Sequence, residues 1–128
     1  MSLVQLAAVA ACGVLAGLAI FQAALISGAP LGRLAWGGQH KVLPAGLRVG
    51  SAVSIVLYAA FGYAALAKAA LVPSLGSEAV TAVVTWVLAA YFTLGVLMNA
   101  ISRSKSERAV MTPVALALAV FYLVLALS

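Results

Sequence analysis

The chain has no aspartate, two glutamates, one histidine and one cysteine among its 128 residues. Each shortage removes a class of chemistry. Neither Glu78 nor Glu107 falls at the middle of an apolar run, so the intramembrane acid on which proton-driven exchange usually depends is missing. Lys68 is the one ionisable group left for such a role, and it stands about one turn from Pro73, where a lysine reaches the interface with its stem in oil. One histidine and one cysteine exclude a zinc cluster, a bis-histidine haem site and a Cys-His nucleophile within one chain. Cys12, alone inside an apolar run, forms no intramolecular disulfide and reads as a small packing residue. Neither a cofactor nor a metal is expected.

Charge is the deepest shortage. Only 7% of the residues are charged, against about 25% in a soluble domain. With 66% of residues hydrophobic, no polar shell is available to cover a core, and hydrocarbon is the solvent that accepts such an exterior.

What the chain does contain is four apolar runs, 3–26, 49–72, 79–101 and 107–127. Each matches or exceeds the roughly 20 residues a helix needs to cross the bilayer core. The first is broken only by Gln5, Gln22 and small residues, and it has no basic residue ahead of it, unlike a signal peptide. The second ends at Pro73 and Gly76; the third carries Thr81, Thr85, Thr93, Trp86, Tyr91 and Asn99. Since the runs are apolar on every side, without the alternation of barrel strands, they are helices. The fold class is therefore all-α, a membrane-spanning four-helix bundle in a single domain, 1–128, with connections 28–48 and 102–106 at one face. Ser104 and Glu107 have the spacing of a capping box, and Pro113 inside the fourth run predicts a modest kink. Gly13 with Gly17, and Gly46 with Gly50, have the spacing of close helix contacts and are expected to pack within the bundle.

Basic residues fix a direction. Arg33, Lys41, Arg48, Arg103, Lys105 and Arg108 all fall at the first and third connections, and only Lys68 lies toward the other side. The positive-inside rule places the first and third connections in the cytoplasm and both termini outside the inner membrane. The net charge of +5 is thus a topology signal, and nucleic acid is not an expected partner.

Polar chemistry gathers at that same face. Residues 28–48 make a connection of roughly twenty residues, a length that in compact proteins tends to carry function. Guanidinium groups, serine hydroxyls and helix N-terminal amides suit a phosphate or carboxylate. Arg33, Trp36, His40, Arg48, Asn99, Arg103 and Arg108 are the candidate set for binding an anionic group. Insertion alone also makes such loops basic, and Trp36 suits an interfacial aromatic belt. On the structural side, Glu107 reads as a helix cap, Asn99 as a hydrogen bond to a neighbouring helix, and His40 as a polar loop residue. Tyr58, Tyr63, Tyr91 and Tyr122 read as core, with an apolar ligand cavity as the alternative.

No catalytic set emerges, so the leading functional reading is a non-enzymatic accessory or scaffold subunit of the inner membrane. Its partners would be the lipid bilayer, an anionic lipid or small anion, and a homo-oligomer or larger membrane complex. Two alternatives stand beside it. One is a small oligomeric channel or transporter for an anion or amphiphile; the other is a lipid-modifying enzyme with its site around His40, Asn99, Arg103 and Glu107.

Overall fold

A computed structural model describes all 128 residues, and they form four long α-helices with no strand. These are α1 (Leu3–Ile26), α2 (Ala45–Lys68), α3 (Glu78–Ala100) and α4 (Lys105–Leu127). At 1.5 Å per residue, helices of 23 and 24 residues reach about 35 Å, more than the hydrocarbon thickness of about 30 Å. All four are long and apolar enough to cross a membrane.

Serine hydroxyls start three of the helices. Ser2, Ser77 and Ser104 stand at the N-caps and accept hydrogen bonds from the backbone N–H groups of Gln5, Val80 and Glu107. At α1 the box is closed, because the Gln5 side chain accepts from the Ser2 N–H in return. The box expected at Ser104 and Glu107 is only half made. Ser104 donates its N–H to the Ser102 hydroxyl, and the Glu107 carboxylate accepts a bond from Gly37 in the first connection.

The second helix lies four residues earlier than its apolar run. Pro44, with φ of −68°, occupies the N-cap and lets helix begin at Ala45, which puts Arg48 inside the first turn. At the other end Ala70 adopts a left-handed φ of 60° and stops the helix before Pro73 is reached. The fourth helix starts at Lys105, directly after its cap, and continues without a break through Pro113.

Helix α1 packs along α2, α3 packs along α4, and α1 against α4 joins the two pairs; α2 and α3 touch only slightly. Alanines make the α1–α2 contact. Ala8, Ala11, Ala64 and Ala65 of these two helices are buried in one core cluster, and the Cys12 thiol reaches the Gly62 carbonyl at 3.6 Å. Small side chains let backbones approach and gather dispersion energy that lipid cannot match. The glycine pairs do not serve this packing. Gly13, Gly17 and Gly46 have open space where a Cβ would stand, because alanines already occupy the contact face, while Gly50 receives the ring of Trp36.

Halfway along the bundle an aromatic cluster closes the centre. Tyr122 is fully buried and donates its hydroxyl hydrogen to the Phe61 carbonyl at 2.6 Å, linking α4 to α2. Phe92 meets Tyr122 at 5.0 Å and Phe61 at 5.8 Å between ring centroids, and Tyr91 meets Phe61 at 5.7 Å. At the end of the bundle away from the basic connections, Lys68 donates to the Ser128 carbonyl and hydroxyl.

Candidate functional site: a cavity behind the basic connections

The slight contact between α2 and α3 leaves room. From Leu18 and Phe92 to the basic connections the space between the helices is a cavity of about 1140 Å³. All four helices contribute to its wall. Leu18 and Phe21 come from α1, Ser54 and Tyr58 from α2, Phe92 and Met98 from α3, and Met111 and Leu118 from α4. Tyr91, Leu94 and Met98 are in the wall and also exposed on the outside of the bundle, so the cavity is open on the α3 flank as well as at the basic face.

The first connection forms the rim, and it is built rather than slack. It contains two short 3-10 turns, Gly32–Leu34 and Trp36–Gly38. Gly32 donates its N–H to the Lys41 carbonyl at 2.9 Å and runs so close to His40 that a Cβ would overlap the His40 carbonyl. Gly38, at φ of +73°, lies against Ser104, whose hydroxyl donates to the Arg33 carbonyl. Gly37 donates to Glu107 at 3.2 Å. These contacts clamp the first connection onto the α3–α4 turn. Trp36 takes φ of +53°, a conformation that costs a bulky side chain free energy, and it is held there from two sides. Its indole lies on Gly50 and donates to the Ser51 hydroxyl at 3.3 Å.

Of the seven residues selected from the sequence, Arg33, Trp36, Asn99 and Arg103 line the cavity. The other three are placed elsewhere. Arg48 turns away from the cavity, its Nε donating to the Leu43 carbonyl of the first connection at 2.8 Å and an Nη to the Ile26 carbonyl at the end of α1 at 3.3 Å. There it satisfies an orphan carbonyl at the negative end of the α1 dipole. Arg108 donates to the Ser102 carbonyl at 3.0 Å and steadies the α3–α4 turn. His40 is exposed and takes no part in the cavity wall. Asn99 bonds the Gly95 carbonyl of its own helix at 2.8 Å, not a neighbouring helix, because the gap beside α3 offers it no partner across the way.

Several wall residues carry no motif. Gln22, Gln39 and Lys105 join the set only because the chain brings them together, while Tyr58, read as core with a ligand cavity as the alternative, and Glu107, read as a cap, line it too. Glu107 is 8% exposed, and Tyr58 is half-buried in apolar surroundings. The rim is therefore basic, with Arg33, Arg103 and Lys105 exposed beside one buried carboxylate, while the depth is apolar and closed by Phe92.

Comparison with protein families, with curated proteins and with solved structures returns no match. Fold and cavity define the class: a multi-pass helical membrane protein with an amphiphilic cavity open at its basic face and on one flank.

Proposed function

We propose that this chain binds an anionic amphiphile at the cytoplasmic side of the inner membrane, with the head at Arg33 and Arg103 and the chain between α2 and α3. A single observation carries this reading: one continuous cavity joins a basic rim to an apolar interior that is open toward lipid on the α3 flank. A soluble anion would leave the interior unfilled, and a headgroup bound to the surface alone would need no interior. Guanidinium groups pair with phosphate or carboxylate oxygens in forked geometry, and the acyl chain gains contact with Leu18, Phe21 and Leu118. The cytoplasmic assignment follows from six basic residues at the face bearing the rim. Binding in this form serves an accessory subunit that holds a lipid or a carrier that releases it.

Native mass spectrometry of the chain, released from nanodiscs containing phosphatidylglycerol and phosphatidylcholine, tests the reading. One anionic lipid per chain is expected to persist at collision energies that strip the zwitterionic one. Arg33→Gln with Arg103→Gln removes that preference. Gly95→Leu is expected to displace the lipid without unfolding the chain, since Gly95 lines the cavity and nothing lies within 4 Å of the position a Cβ would take. Equal loss of both lipids from the unaltered chain would overturn the proposal.

A further inference from the structure

Gln22 and Thr112 are the polar side chains of the spans with a buried atom that the bundle leaves unpartnered, and of the two only Gln22 stands in the cavity wall. The hydroxyls of Ser54, Thr85 and Thr93 and the amide of Asn99 are absorbed by carbonyls one turn back in their own helices. Gln22 instead crosses to α2, where its Nε2 donates to the Tyr58 hydroxyl at 3.3 Å. Its Oε1 has no partner, one of only two buried side-chain atoms in that condition. The residue is 8% exposed, and both it and Tyr58 stand in the cavity wall. In surroundings this apolar, an amide oxygen without a donor is costly, and such groups in native proteins normally have a partner in protein, water or ligand. Because Tyr58 accepts from Gln22, the phenol keeps its own hydrogen to donate. The Gln22 oxygen is buried as it stands, and a turn of its amide toward the cavity sets one acceptor and one donor side by side.

A group that complements both is itself donor and acceptor: a hydroxyl, or the N–H and C=O of an amide. We infer that the amphiphile bound in this cavity carries a hydroxyl or amide near the junction of head and chain, and that Gln22 and Tyr58 select for it. Depth agrees with that position. Gln22 lies four residues from the end of α1 at Ile26, about 6 Å below the level of the rim at 1.5 Å per residue. A bare fatty acid or alkyl phosphate would leave the Gln22 oxygen unpaired, whereas a 3-hydroxyacyl chain, a lysophospholipid glycerol or an N-acyl amino acid would satisfy it. This inference deepens the amphiphile reading and depends on it.

Competition between two probes that differ by one hydroxyl separates the two claims. The chain in phosphatidylcholine nanodiscs is offered equimolar 3-hydroxytetradecanoate and tetradecanoate, and the bound ratio is read by native mass spectrometry. The hydroxylated acid is expected to be about tenfold favoured, the size of one well-placed hydrogen bond. Gln22→Leu and, independently, Tyr58→Phe are each expected to shrink that ratio toward one, while Gly13→Ala, outside the cavity wall, is expected to leave it unchanged. Tyr58→Phe changes no volume to speak of, so it serves even where the Gln22 variant fails to fold. Equal binding of the two acids by the unaltered chain would overturn the inference and leave the amphiphile site standing. Binding of neither would overturn both.

Discussion

Gly38 and Gly13 place opposite demands on the same residue type. Gly38 combines a left-handed φ of +73° with a backbone so close to Ser104 that a Cβ would overlap its side chain. Gly38→Ala is expected to lower stability by about 1–3 kcal/mol, the range for strain at such a position. Gly13 meets nothing, and alanine there removes backbone freedom from the middle of a helix, so Gly13→Ala is expected to raise stability by up to about 1 kcal/mol. Thermal unfolding of both variants in the same detergent checks the contrast. Equal shifts would show that glycine at Gly38 has no special role in seating the first connection. Tyr122→Phe is a third case. It deletes the 2.6 Å bond to the Phe61 carbonyl while keeping the ring stack, and a loss of about 1 kcal/mol is expected in the same assay.

Among the elements, the first connection depends most on distant partners. Its contacts with α4 run through Glu107 to Gly37 and through Ser104 to the Arg33 carbonyl. Both anchors also begin α4, so the rim and the helix start share the same side chains. Glu107→Ala is expected to speed amide hydrogen exchange across residues 32–41 and to leave exchange in the middle of α1 and α3 unchanged. If residues 32–41 stay protected in that variant, the Glu107 bond is not what holds the rim. Ser104→Ala removes an N-cap hydroxyl, at a cost of about 1 kcal/mol, and should loosen the same segment in the same measurement. The Ser-x-x-Glu spacing was legible as a helix start. That its carboxylate reaches across to Gly37 was not, because the spacing carries no information about a loop some seventy positions earlier.

For the whole molecule, the proposed direction in the membrane rests on charge and is open to a direct check. In a Cys12→Ala background, Ser106→Cys is expected to react with an impermeant maleimide only after cells are opened, and Ser2→Cys is expected to react in intact cells. The reverse pattern would invert the orientation and move the cavity rim to the outer surface, with the helices unchanged.

Hydrocarbon as solvent and four helices were determined by the sequence alone, because run length and scarcity of charge are properties of consecutive residues. The same is true of the helix start at Ser104, since an N-cap acts within one turn. Tertiary structure alone decided which side chains meet. Arg48 was legible as a basic residue near the membrane surface, yet only the folding of the first connection turns it onto the end of α1 and out of the cavity. Gln22 and Tyr58 looked like unrelated interruptions of two apolar runs until antiparallel packing of α1 on α2 set them 3.3 Å apart. Distances between helices depend on which faces pack, and in a chain apolar on every side the sequence leaves that choice to the summed contacts of small residues.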